Sequence, residues 1–165
     1  MVLLTRFSLS ISALFLLVCP AQAQQAGLTL QTSEPHGGEL NVFVAACASE
    51  AGATCNPFLG DTLCSATRPA LCIIDLNAPV PATLEDDMNW TGGLLALGPK
   101  MRGDSVATIT QADAVCEATF GEGWRLARFR DGGGDKLVGF GGMPATPQSV
   151  WVDIKDQPRA TCWVR

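Results

Sequence analysis

The chain has 165 residues, 47% hydrophobic and 16% charged, with a formal net charge of −5, seven cysteines, one histidine and no tyrosine. An acidic surplus with no basic tract repels phosphate backbones and anionic lipid heads, so nucleic acid is not an expected partner. One histidine (His36, between Pro35 and Gly37) and no C-x-x-C pair leave hydrolytic triads and thiol redox chemistry without their usual parts.

The first segment reads as an export signal: Arg6, an apolar run over residues 7–18, and the small-x-small triplet Ala21-Gln22-Ala23, with cleavage expected before Gln24. Cys19 falls inside it, and Val18 stands where a lipid-anchor signal wants a small residue. The expected mature chain keeps ten Lys and Arg against sixteen Asp and Glu, a net charge of −6, and six cysteines: Cys47, Cys55, Cys64, Cys72, Cys116 and Cys162. An even cysteine set in an exported chain predicts a disulfide-stapled single domain, secreted or periplasmic and soluble. No later apolar stretch has the roughly 18 residues of a membrane span.

Residues 24–38 are polar and carry Gly and Pro, which predicts a weakly ordered arm or a lone edge strand. The domain proper is expected over 39–165. Strands are predicted at 39–46, rich in β-branched and aromatic residues, at 69–75, at 94–97, at 150–154 and at 160–164. Cys47 with Cys55, and Cys64 with Cys72, are each close enough to close a local bridge. One helix is predicted over 111–120, with Thr110 as cap, Asp113 three residues later, and Ala112, Val115, Cys116 and Phe120 on one face; Gly121 ends it. The fold class is α+β.

Chemistry-bearing candidates are few. Asp131 and Asp135 around three glycines resemble half a calcium loop but lack its other oxygens and closing Glu. Asp153 and Asp156 form a second carboxylate pair, and Glu85-Asp86-Asp87 a short acidic cluster. Asn89-Trp90-Thr91 matches a glycosylation sequon. No cofactor or metal is expected. Trp90, Trp124, Trp151 and Trp163 all lie in the segment with the helix and last strands, and most read as core; the candidate ligand surface is a Trp/Arg edge of Trp90 and Trp124 with Arg125, Arg128 and Arg130, and with Asp153 and Asp156.

Three stretches in order, Ala112-Asp113-Ala114-Val115-Cys116, Leu126-Ala127 and Trp151-Val152-Asp153-Ile154, resemble the C-type lectin-like fold. Leu95-Ala96-Leu97 and Met101-Arg102-Gly103 add a likeness to its endostatin branch. Gly123-Trp124-Arg125, Asp156-Gln157-Pro158 and Cys162-Trp163 resemble a type of small exported bacterial protein. The resemblance implies a small antiparallel sheet with one main helix, and a long bridge from Cys116 to Cys162. Sugar-binding lectins continue past the Trp strand into a calcium loop with Glu-Pro-Asn and Trp-Asn-Asp signatures; this chain has neither, so calcium-dependent sugar binding is not implied. The reading is a non-enzymatic module that recognises a protein or glycan. The alternative is a structural or assembly component of the cell envelope or a surface appendage, with residues 24–38 available for strand addition.

Overall fold

The structure, a computed structural model, describes residues 25–33, 41–47, 55–84, 89–134 and 136–165. The expected export signal with Cys19, His36, Glu85-Asp86-Asp87 and Asp135 lie outside the described residues. What is described is α+β, mostly strand, with one α-helix.

Two long strands form the spine: β5 (Thr67–Asp75) and β6 (Trp90–Arg102), paired antiparallel along most of their length. The elements around them are β1 (Ala26–Gly27), β2 (Thr29–Thr32), β3 (Val42–Ala46), β4 (Thr62–Leu63), α1 (Ile109–Phe120), β7 (Trp124–Leu126), β8 (Lys136–Phe140) and β9 (Ser149–Trp151). Neighbours run β6-β8-β3-β2-β9-β5, and β5 returns to β6, so six strands close on themselves. The β6–β8 and β5–β9 contacts are parallel and the rest antiparallel. Closure removes most unpaired edge. The expected small antiparallel sheet is therefore a mixed, closed barrel.

Period-two alternation fills two cores from the same strands. On β5, Leu71 and Ile73 join the barrel interior with Leu28, Leu30, Phe43, Leu95, Leu137 and Val152. Ala70 and Cys72 face outward into a second layer with Ala112, Cys116, Leu126, Trp151 and Trp163, beneath α1. Leu126 and Ala127 divide the same way. Trp151 is fully buried and its indole N–H donates to the Met101 carbonyl at 3.0 Å.

Several expectations are corrected. Residues 29–32 are no arm or edge strand: β2 lies between β3 and β9, with Leu28 and Leu30 buried. Its pairing partners are remote in sequence, and four residues are too few to show a pattern. The strand expected at 94–97 extends over thirteen residues. β8 lies within the glycine-rich region, with Gly139 inside the strand and Gly132, Gly133, Gly134, Gly141 and Gly142 in bends and irregular chain on either side. A Cβ on Gly139 would lie 2.7 Å from Thr91 Oγ1 and 2.8 Å from the Gly93 carbonyl oxygen. Residues 160–164 are bends and irregular chain, with only the isolated bridge Thr108↔Val164.

The helix starts earlier than expected, at Ile109. Thr108 is the N-cap, and the capping box closes on Gln111 rather than Asp113. Thr108→Ala should cost about 1 kcal/mol by urea titration, whereas Thr110→Ala should be near neutral.

The disulfides are Cys47–Cys55, Cys64–Cys162 and Cys72–Cys116. The local Cys47–Cys55 bridge matches the expectation; Cys64–Cys72 and Cys116–Cys162 do not form. The reason is the alternation on β5, which turns Cys72 outward under the helix, where Cys116 faces it. Cys64 lies beside the C-terminal turns, and Gly27 and Gly103 flank the Cys162 sulfur, where a Cβ would fall 2.5 and 2.6 Å away. All six described cysteines are bridged, which fits an oxidising, extracytoplasmic compartment. Among the described residues no helix is long and apolar enough to cross a membrane.

Candidate functional site

The arginines of the expected edge are divided among separate ion pairs. Arg125 stands opposite Ile73 in the β5–β7 register, on the inward side at the end of the barrel. It donates to both carboxylate oxygens of Asp131 (2.8 and 3.0 Å) and of Asp75 (3.0 Å from Nη2). Burial alone would lower its pKa, but the hydrogen bonds and charges of Asp131 and Asp75 outweigh this and hold the guanidinium above its ordinary value. Asp131 also accepts the Arg128 backbone N–H. It is thus a rim clamp whose oxygens are occupied by arginine, unlike a free calcium ligand.

Arg128 joins the helix to the C-terminal turns. Its Nη2 donates to both oxygens of Asp113 (2.9 and 2.8 Å), and its Nε lies 3.3 Å from Asp153. Asp153 is fully buried and also accepts from the Thr161 hydroxyl (2.9 Å) and Arg165 (2.7 Å). Asp113, expected near the helix cap, instead accepts the Leu126 N–H and holds β7 against α1. Arg130 pairs with Asp156 at 2.8 Å on the surface, and that hydrogen bond holds the Asp156 carboxyl below its ordinary range. Asp131, Asp153 and Asp156 each answer to different arginines and do not face one another as a catalytic pair.

The tryptophans divide too. Trp90 is half-buried, donates to the Ala78 carbonyl at 2.9 Å and packs edge-on against Phe140, 4.9 Å between centroids. The sequon around it is built into the barrel wall: the Asn89 carbonyl accepts the Val138 N–H and the Thr91 hydroxyl accepts the Gly93 N–H. Trp163 is buried beside Trp151, and its indole N–H has no hydrogen-bond partner.

Trp124, like Trp90, is partly exposed beside an aromatic neighbour, and it lies on the outer wall. It is half-buried and packs on Phe120, with centroids 4.7 Å apart and planes inclined by 34°. Its register partner is Ile74, which in turn opposes Leu94 on β6. Opposed residues share a face, so Leu94, Ile74, Trp124 and Phe120 make one apolar surface across β6, β5, β7 and the end of α1. Phe120, on the helix face expected to carry Ala112 and Cys116, is 38% exposed, whereas those two are fully buried. Ile74, Leu94 and Phe120 are the site residues that the sequence reading misses. The outward phase of β5, set by Cys72, is the signal that locates Ile74.

The surface is a rigid aromatic shelf with the Asp75–Arg125–Asp131 clamp at its margin. It offers contact area, and among the described residues no group of three or more His, Cys, Asp or Glu side chains is placed to hold a metal ion. Comparison with protein-family models, curated proteins and solved structures finds no match to this chain.

Proposed function

We propose that the chain is an exported, non-enzymatic binding module of C-type lectin-like architecture that recognises a protein or glycan, without calcium, through its Phe120–Trp124 face. The observation that carries this reading is the aromatic pair fixed on the outer wall. Two rings held by α1 and β7 lose little entropy on binding, and a partly exposed indole is a common energetic centre of recognition surfaces. The bridged cysteines support export. The lectin-like likeness rests on motif order: Cys116 on the helix, Leu126-Ala127 on the wall, and Trp151 between helix and barrel. It does not rest on the disulfide pattern, since Cys116 is bonded to Cys72. The non-enzymatic reading is supported by the carboxylates, which are engaged one by one with arginines.

The test is fluorescence titration of the mature, oxidised protein with a panel of soluble oligosaccharides and with exported proteins of its own cell. Trp124→Ala should weaken any ligand found at least tenfold, about 1.4 kcal/mol or more, while shifting the melting midpoint by only a few degrees. Unchanged affinity in a folded Trp124→Ala protein would place recognition elsewhere. The assembly reading is favoured by a different observation: Phe58 and Leu59 stand exposed on the loop between the Cys47–Cys55 and Cys64–Cys162 bridges.

A further inference from the structure

Negative charge gathers around the Phe120–Trp124 face without a base to meet it. Glu117 lies one helical turn before Phe120 on α1, and Glu122 stands between Gly121 and Gly123 in the turn that joins the two ring-bearing residues. Both are exposed, and among the described residues neither makes an ion pair. The last turn of α1 holds no basic residue, so the partial negative charge at the helix C-terminus, where Phe120 is the final residue, has no cation of its own turn beside it. The neighbouring Arg125 does not serve: it alternates with Trp124 on β7, stands opposite Ile73, and its guanidinium is engaged by Asp75 and Asp131. The apolar surface also extends beyond the two rings. Leu94, opposite Ile74, is the register partner of Phe140 on β8, and Phe140 meets Trp90 edge-on. From Phe140 to Trp124 this wall crosses four neighbouring strands, about 14 Å at the ordinary strand spacing.

We infer that the partner of this face is a basic protein, which lays a Lys- and Arg-bearing segment across it with its cationic groups set against Trp124, Phe120, Glu117 and Glu122. The inference rests on the proposed reading of the face as a docking surface and names the chemistry of its partner. Rings, carboxylates and helix end act on a cation in the same sense. An ammonium or guanidinium is drawn to the face of an aromatic ring, to a helix C-terminus and to an unpaired glutamate, while its aliphatic stem covers apolar wall such as Ile74 and Leu94. A neutral glycan would use the rings and leave both carboxylates and the helix end without counter-charge; an anionic one would be repelled by them. The net charge of −5 on the whole chain steers a basic partner in the same direction.

Tryptophan fluorescence of the oxidised protein, titrated with a short peptide alternating arginine and serine, tests this. The companion probes are the same peptide carrying citrulline, the uncharged isostere, in place of arginine, and a neutral oligosaccharide. The arginine peptide should bind and lose affinity as salt is added. The citrulline peptide should bind at least about tenfold more weakly. Glu117→Gln and Glu122→Gln should each weaken the arginine peptide about two- to fivefold with unchanged circular dichroism. Asp104→Asn removes the same charge beyond the far end of β6, where Asp104 pairs with Arg102, and should leave the affinity unchanged. A wild type that does not bind the arginine peptide, a citrulline peptide that binds equally well, or an Asp104 variant as weak as the glutamate variants would overturn the inference. If the oligosaccharide binds through Trp124 while the arginine peptide does not, the docking face stands and only the basic partner falls. If neither probe depends on Trp124, both readings fall.

Discussion

Replacing Cys64 and Cys162 together by serine should lower the unfolding free energy by about 4–5 kcal/mol, the largest effect of any bridge. The two residues are 98 apart in sequence, and in the chain-entropy model the loss grows with the loop released. Cys72–Cys116, with a separation of 44, should be worth about 4 kcal/mol, and Cys47–Cys55, with a separation of 8, about 2.5 kcal/mol. Against a total stability of about 5–15 kcal/mol, the first loss is large enough to decide whether the domain folds. Packing adds to the entropic term, because Gly27 and Gly103 leave the Cys162 sulfur no room to move. Urea titration of the three double-serine variants checks the order. A Cys47/Cys55 variant that loses most would contradict it.

Asp153→Ala should cost about 3 kcal/mol. The carboxylate is fully buried and receives Arg128, Arg165 and the Thr161 hydroxyl, so its removal strands the buried Thr161 hydroxyl and takes one carboxylate from each arginine. The estimate sits at the low end for a broken buried pair because Arg128 keeps Asp113, and because Arg165, whose side chain is 37% exposed, is screened by solvent. Asp153→Asn retains an acceptor for Thr161 and should cost less. Chemical denaturation of both variants gives the comparison. A loss below about 1 kcal/mol for the alanine would mean that the site is wet.

What the sequence discloses follows from how local each feature is. The helix is legible because its period and its ending at Gly121 lie within a dozen residues, though a polar threonine at either 108 or 110 serves equally well as a cap on paper. β3 and β5 are legible from their density of Val, Phe, Leu and Ile. β2 is not, since the four residues Thr29–Thr32 gain their meaning only from β3 and β9, the latter more than a hundred residues away. β8 is masked by Gly139 and the glycines around it, which look like a loop because the reason for them is the backbone of β6 pressed against them. The disulfides show the same limit: proximity in sequence favours Cys64 with Cys72, but β5 turns Cys72 towards the helix, and only the three-dimensional phase of the strand says so. At the site, Trp124 is visible as a residue type. Its partners Phe120, Ile74 and Leu94 become a surface only through the registers of β5 with β6 and β7, and the arginines beside it become clamps only once Asp75, Asp113, Asp131 and Asp153 are brought to them.

Everything built on the outer wall depends on α1 being stapled to β5. The most direct measurement is therefore non-reducing proteolytic mapping of the oxidised protein by mass spectrometry. Linked peptides containing Cys47 with Cys55, Cys64 with Cys162 and Cys72 with Cys116 are the predicted result. A Cys116–Cys162 peptide would contradict it, detaching the helix from β5 and with it the shelf that Phe120 and Trp124 form.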